Sequence, residues 1–311
     1  MVICTIPKLT KHQRLYLMEI CDDEIYFVEG LNALTIPYEQ VKIIITFGYD
    51  IHENILNKME SLQWIHIFQT GIEHLPLNKI LKYNIKLTHT KNVHGIPISE
   101  YVLSMILYSV RDIPRFIASK SAKYWDDGAE LQVGEAYGKT VAIFGTGSIG
   151  SEIAKVLKSM HMTVLGVNTT GKSKRFFDKV YSMDNKYTVL EKSDFVVLVL
   201  PSTKETYHCI GEKELKKMKE NSFLINVGRG SLIDTTAITK SLAEGKIKGA
   251  ALDVFEHEPL PEDSPLWDLK NLFITPHIAT LTNRYYDRCI NLFNINFKLF
   301  TESKNLQYQI K

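Results

Sequence analysis

The chain has 311 residues, 45% of them hydrophobic, with 37 Lys and Arg against 35 Asp and Glu and a formal net charge of +2. That apolar content supports buried cores and excludes a chain disordered throughout, and the length suits two domains. The near balance of charge is not that of a nucleic-acid binder, and no run approaches the ~18 apolar residues of a membrane span.

From the N-terminus, short apolar runs alternate with amphipathic stretches. Val2–Ile6, Ile25–Val28, Val41–Phe47, Trp64–Phe68 and Ile85–Thr88 read as strands. Lys11–Cys21, with Thr10 as its N-cap, and Glu53–Lys58 read as helices between them. Such alternation predicts a parallel sheet covered on both faces. Near Pro97 the pattern changes. Ile98–Ile113 reads as one long helix, followed by Pro114 and by a segment with Tyr124, Trp125 and Gly128. A second alternation then begins, with strands at Thr140–Phe144, Met162–Val167, Phe195–Leu200, Phe223–Val227, Gly249–Asp253 and Leu272–Thr275. Helices are expected at Ile149–Met160, Val189–Lys192, Glu212–Lys219 and Thr235–Glu244, and Tyr285–Glu302 reads as a final helix ending the chain. Met1 to Lys8 lead straight into a strand, so no secretory leader is expected. Cys4, Cys21, Cys209 and Cys289 are too scattered for a CxxC motif and too few for a disulfide scaffold. They predict reduced thiols, a cytoplasmic protein and no metal site.

The segment Gly145-Thr-Gly147-Ser148-Ile149-Gly150 follows a strand and opens a helix. Gly145 permits a tight turn, Gly147 lets a pyrophosphate approach the backbone, and Gly150 lets helix and strand pack closely. The unpaired N–H groups of the helix start suit a phosphate. At the next strand end, where a carboxylate would hold the ribose 2′-OH, stands Asn168, with Lys172, Lys174 and Arg175 after it. An amide among cations tolerates a 2′-phosphate, so NADP is favoured over NAD, although the same cations are equally read as a solvated loop.

Three further segments stand out: Leu224-Ile-Asn226-Val227-Gly228-Arg229-Gly230 with Asp234 after it, Ala251-Leu-Asp253-Val-Phe-Glu-His-Glu258-Pro-Leu-Pro261, and Thr275-Pro-His277-Ile-Ala279. With the glycine turn, Leu200-Pro201-Ser-Thr203-Lys-Glu-Thr206, Gln69-Thr-Gly71-Ile72-Glu-His74 and Asn92-Val-His-Gly95-Ile-Pro97, they resemble the D-isomer-specific 2-hydroxyacid dehydrogenases over almost the whole chain.

The chemistry agrees with the resemblance. Reduction of a 2-keto acid needs a hydride donor, a proton donor and an anchor for the carboxylate. A nicotinamide supplies the hydride. Arg229, after an apolar strand, is the candidate anchor, because a guanidinium grips carboxylate and carbonyl oxygens in bidentate fashion. His277 is the candidate proton donor, and Glu258 its partner, holding the imidazole. The resemblance further implies that the Gly71 and Ile72 N–H groups bind the substrate carboxylate. It places Asp253 near the nicotinamide amide, where the residue is otherwise read as a strand-end cap. It adds Pro201, Thr206, Val227 and Gly228, with Arg229 and His277, to the cofactor contacts.

The architecture it implies is α/β, with two doubly wound parallel-sheet domains. A flavodoxin-like substrate domain of residues 1–100 and 284–311 would hold an inserted Rossmann nucleotide-binding domain of residues 101–283. The expected activity converts a small 2-keto acid, of the glyoxylate or hydroxypyruvate type, to a D-2-hydroxy acid with NAD(P)H. The protein would be a homodimer without nucleic-acid or membrane partners. Phosphoglycerate dehydrogenase activity, in a chain that stops at Lys311 without the regulatory domain common there, and a non-catalytic NAD(P)H-sensing protein remain alternatives.

Overall fold

The computed structural model describes residues 1–22, 24–69, 71–72, 74–127 and 133–310. Thr70, Glu73 and Gly128, which fall within segments named above, lie outside the described residues. In chain order the strands are β1 (Val2–Cys4), β2 (Ile25–Phe27), β3 (Ile43–Thr46), β4 (Trp64–Ile67), β5 (Lys86–His89), β6 (Thr140–Phe144), β7 (Thr163–Asn168), β8 (Lys179–Ser182), β9 (Phe195–Leu198), β10 (Phe223–Asn226), β11 (Gly249–Leu252), β12 (Leu272–Ile274) and β13 (Gln309–Ile310). The helices are α1 (Lys11–Ile20), α2 (Glu53–Leu56), α3 (Leu77–Lys82), α4 (Gly95–Val110), α5 (Ile113–Ser121), α6 (Ser148–Ser159), α7 (Lys186–Lys192), α8 (Glu212–Leu215), α9 (Thr235–Ala243) and α10 (Tyr285–Thr301). The chain divides into two compact units, residues 1–93 with 282–311 and residues 94–281.

In the first unit, α1 starts on a capping box in which Thr10 and Gln13 bond reciprocally. The sheet order is β13-β5-β4-β3-β1-β2, parallel except for β13, which runs antiparallel to β5. Without β13 this is the flavodoxin-like, doubly wound order. Successive side chains on each strand go to opposite faces. Trp64 and Phe68 join Val2, Cys4, Ile43 and Ile45 beneath Leu17 of α1 and Ile290 and Phe293 of α10. Ile65 and Ile67 join Ile3, Ile44 and Leu87 against Ile55 of α2 and Ile80 of α3. Both faces are therefore apolar and both are covered.

The second unit holds a seven-stranded sheet in the order β12-β11-β10-β9-β6-β7-β8, parallel throughout. Val141 and Ile143 of β6 pack with residues of α4 and α6. Ala142 and Phe144 pack on the other face, with residues of α7 and α9. The strand order reverses at β6, between β7 and β9, so the carboxyl end of β6 is a topological switch point, where α/β proteins bind ligands.

Several elements differ from the sequence reading. The helix expected at Ile98–Ile113 begins at Gly95 and takes Pro97 into its first turn, where the missing N–H removes no helical bond. It ends at Val110, and Asp112, with φ 49°, turns the chain into α5, which the pattern did not reveal. Because α4 packs along α6, the division falls after Val93 rather than at residue 100, and the return falls at Thr282 rather than at 284. The charge-rich stretch Glu212–Lys219 is helical only over α8. Edge strand β8 was missed, and α10 is followed by β13 rather than ending the chain. No helix among the described residues is long and apolar enough to cross a membrane.

One buried group links the first unit to pH. His66 on β4 is fully buried; its Nδ1 lies 2.7 Å from the Thr88 hydroxyl, which also accepts from Trp64 Nε1 at 2.8 Å, while its Nε2 has no partner. Burial, with His89 nearby, pushes its pKa from 6.5 down to about 3. The native ring is therefore neutral. Its stabilisation is complete above the unfolded-state value and is lost as pH falls toward 3, at up to about 1.4 kcal/mol per pH unit. The melting temperature of the wild type is expected to fall more steeply between about pH 6.5 and pH 4 than that of His66→Leu. Parallel curves would show that His66 does not carry the acid sensitivity.

Candidate active site

The carboxyl ends of β6, β9, β10, β11 and β12 present the residues singled out from the second half of the sequence. After β6, Gly145 adopts φ 109°, and a side chain there would meet the Val199 carbonyl. A side chain on Gly150 would overlap the Gly145 carbonyl. The turn thus closes only with glycine at both positions. Gly147 is the N-cap of α6, which has no side-chain cap, so the first amides of the helix stay available. Nothing lies within 4 Å of the point where a Gly147 side chain would begin. Open space before uncapped amides fits the phosphates of a dinucleotide, with Ser148 and Ile149 in the first turn.

Asn168 ends β7 with its amide fully engaged. Its Oδ1 accepts from the N–H groups of Thr170 (3.0 Å) and Gly171 (2.7 Å). Its Nδ2 donates to Thr146 Oγ1 (2.9 Å) and to the Lys172 carbonyl (3.2 Å). The residue shapes the turn that carries Lys172, whose side chain is exposed together with those of Lys174 and Arg175. After β9, the Thr206 hydroxyl donates to the Pro201 carbonyl at 2.7 Å and closes that loop on itself.

Asn226 ends β10 and is buried. Its Oδ1 accepts from Gly228 N–H at 3.1 Å and its Nδ2 donates to the Arg229 carbonyl at 2.9 Å. This ties down the turn of Val227, Gly228 and Arg229. The exposed Arg229 side chain is steadied by an Nη1 bond to the Gly228 carbonyl at 2.6 Å.

Asp253 follows β11 and is buried. Its carboxylate accepts from the Thr275 hydroxyl (2.6 Å) and from the N–H groups of Ile278 (2.8 Å) and Ala279 (2.9 Å). The role visible in its geometry is to hold the loop that carries His277. The Tyr101 hydroxyl of α4 extends this chain by donating to Thr275 at 2.7 Å. His277 is left-handed, with φ 57°, and its N–H bonds to the Asp253 carbonyl at 2.8 Å. Its Nδ1 lies 2.8 Å from Glu258 Oε2, and Glu258 Oε1 accepts from Phe255 N–H at 2.9 Å. Burial pushes the Glu258 carboxyl up, but the bonds from His277 and Phe255 and the fields of His277 and Arg229 outweigh it and hold the group below the usual carboxylate range. Glu258 is therefore ionised at neutral pH. A cavity of about 440 Å³ opens beside the pair, walled by Phe255, Leu260, Trp267 and Ile274.

Arg229, Glu258 and His277 thus gather at one end of one sheet, with the glycine turn at the switch point of that sheet. Gly71 and Ile72 lie in the other unit, in the segment between β4 and α3. The sequence reading did not assign the supporting residues Asn226, Thr275, Tyr101 and Thr146. An Asn at a strand end before Val-Gly is a turn signal that would have found the first. The others bond to partners remote in sequence.

Residues 103–279 match the model of a family described as D-isomer specific 2-hydroxyacid dehydrogenase, NAD binding domain. The chain is 37% identical over 248 residues to a glyoxylate reductase of Thermofilum pendens, covering 75% of this chain and 70% of that one. It is 33% identical over 246 residues to glyoxylate/hydroxypyruvate reductase B of Pectobacterium carotovorum subsp. carotovorum, covering 77% and 76% of the two chains. Among solved structures it is similar to a D-isomer specific 2-hydroxyacid dehydrogenase family protein of Aeromonas salmonicida, at 29% identity and a TM-score of 0.76, covering 100% of this chain and 98% of that one. The chain belongs to the D-isomer-specific 2-hydroxyacid dehydrogenase family.

The glycine turn yields a direct test. Gly150→Ala is expected to cost about 1–3 kcal/mol of stability through overlap with Gly145 and to weaken dinucleotide binding. Gly147→Ala, whose side chain starts in open space, is expected to leave the melting temperature unchanged. Calorimetry of both variants decides, and equal melting temperatures would refute the packing argument.

Proposed function

We propose that this protein reduces a small 2-keto acid to the D-2-hydroxy acid with NAD(P)H. The observation that carries the proposal is the hydrogen-bonded His277–Glu258 pair in the field of Arg229, at the sheet end that also bears the glycine turn. The first turn of α6, with Gly145, Gly147, Ser148, Ile149 and Gly150, would hold the dinucleotide phosphates, and Pro201, Thr206, Val227, Gly228 and Asp253 would lie along it. When bound, the nicotinamide supplies the hydride. Arg229 binds the 2-keto acid through its carboxylate and carbonyl oxygens and orients C2. Glu258 fixes His277 through Nδ1, which directs Nε2 to the carbonyl oxygen. There His277 gives its proton in reduction and recovers it in oxidation. Gly71 and Ile72, whose N–H groups the family resemblance assigns to the substrate carboxylate, belong to the first unit. Residues 1–93 with 282–311 would act as the substrate domain and residues 94–281 as the nucleotide domain.

Relatives named glyoxylate reductase and glyoxylate/hydroxypyruvate reductase support glyoxylate or hydroxypyruvate as the substrate. His277→Ala is expected to lower kcat by roughly 100- to 10,000-fold. Arg229→Ala is expected to lower kcat/KM by about 100-fold or more. Both are measured by loss of reduced-cofactor absorbance with either keto acid, and near-wild-type turnover in either variant would remove the assigned role.

NADPH is the cofactor we favour. The uncharged Asn168 and the exposed Lys172, Lys174 and Arg175 support it, since a carboxylate at the strand end would repel a 2′-phosphate. A higher kcat/KM with NADPH than with NADH is expected, and a strong preference for NADH would reverse the assignment. We further propose a homodimer. Trp125 is 89% exposed, Tyr124 64% and Ile117 56%, an apolar surface on and after α5 that a monomer would leave in water. Light scattering is expected to give twice the 35.6 kDa chain mass, and Trp125→Glu to weaken the dimer. A wild type of single-chain mass would refute it. The four cysteines are free and buried, which supports the cytoplasm as the location.

A further inference from the structure

One side-chain bond at this sheet end has no part in the roles above. His208 lies in the loop after β9 in a left-handed conformation, φ 47°, with its ring stacked on Tyr207 at 3.9 Å between centroids. Its Nε2 is 2.6 Å from Oε1 of Glu256. The second Glu256 oxygen accepts from the Thr235 hydroxyl, also at 2.6 Å, at the start of α9. Among the described residues, His208–Glu256 is the only side-chain hydrogen bond joining residues 200–210 to residues 253–258.

The two segments it joins carry different duties. Residues 200–210 include Pro201 and Thr206, and residues 253–258 include Asp253 and Glu258. The far half of the 200–210 loop is already tied to the turn after Arg229, by His208 N–H to the Ser231 carbonyl (2.8 Å) and Ile210 N–H to the Leu232 carbonyl (3.0 Å). Its near half is closed on itself by Thr206 and Pro201, and tied outward by the Ser202–Ser231 hydroxyl pair at 2.8 Å. Loss of the His208–Glu256 bond would therefore leave the loop folded and tied to residues 231–232, but without its side-chain bond to residues 253–258. Burial raises the Glu256 carboxyl, yet its bonds to Thr235 and His208 outweigh that and hold it below the usual range. The acceptor is thus an ionised carboxylate, which makes the stronger kind of hydrogen bond.

We propose that His208 and Glu256 form a positioning pair that fixes the loop of Pro201 and Thr206 against the strand end of Glu258, and so sets affinity for the dinucleotide rather than the rate of the chemical step. The proposal rests on the dehydrogenase reading of Pro201 and Thr206. Two substitutions separate the bond from the backbone. His208→Asn keeps a residue that tolerates the left-handed conformation, but its amide does not reach Glu256. His208→Gln places an amide nitrogen near the Nε2 position and retains the bond.

Cofactor affinity is measured by fluorescence titration with NADPH and NADH, which needs no keto acid, and kcat and KM are measured in parallel. His208→Asn is expected to raise Kd and KM for the cofactor about tenfold, with kcat within about twofold of wild type. His208→Gln is expected to bind as the wild type does. Adding Glu256→Gln to His208→Asn should cause little further loss, since the bond is already gone. An unchanged Kd in His208→Asn would overturn the pair's role, as would a His208→Gln variant as weak as the Asn variant, or a fall in kcat at unchanged Kd. A wild type that binds neither dinucleotide would instead overturn the dehydrogenase reading itself.

Discussion

A carboxylate sunk at the end of a strand governs the active end of the second unit. Asp253 is buried, and an ionised carboxylate there is tolerable only with donors around it. It finds three within five residues of one loop, the Thr275 hydroxyl and the N–H groups of Ile278 and Ala279. Satisfying that charge and shaping the His277 loop are the same event. The left-handed backbone of His277, uncommon for a residue with a side chain, is held by bonds on both sides of it. Through Thr275 and Tyr101 the constraint reaches α4.

Two other strand ends of the same sheet repeat the device with neutral side chains. Asn226 closes the turn before Arg229, and Asn168 closes the turn before Lys172. In each case a short polar side chain folds back on backbone groups that the sheet no longer pairs. The result is a division of labour. Asn226 and Asp253 are buried and engaged, whereas the side chains of Arg229 and His277 stand exposed on the platform they make. The exposed side chains thus stand on backbones that have little freedom left.

Much of this was legible in the residue order. Central strands such as β6 and β10 are continuous apolar runs bounded by turn residues, and the glycine turn lies between a strand and a helix as its spacing requires. The elements that escaped are those whose existence depends on partners. The edge strand β8, Lys-Val-Tyr-Ser, has no apolar periodicity and is a strand only because β7 pairs with it. The start of α4 was hidden by Pro97, which is harmless in a first turn and disruptive later. For the site, sequence named Glu258 as the partner of His277, and the 2.8 Å contact that joins these two residues, 19 positions apart, is made by the fold. Thr275 and Tyr101 carried no local signal at all, because each acts on a group far away in the chain.

The short β13 strand bears on how the first unit behaves in a crowded solution. An outermost parallel strand normally exposes a row of unpaired amides and carbonyls that can template the addition of a foreign chain. β5 would be that strand, but the polypeptide returns after α10 and lays Gln309 and Ile310 antiparallel beside Thr88 and Leu87. This pairing covers the ladder of β5 at Leu87 and Thr88, so that margin of the sheet is blunted against self-association by its own chain.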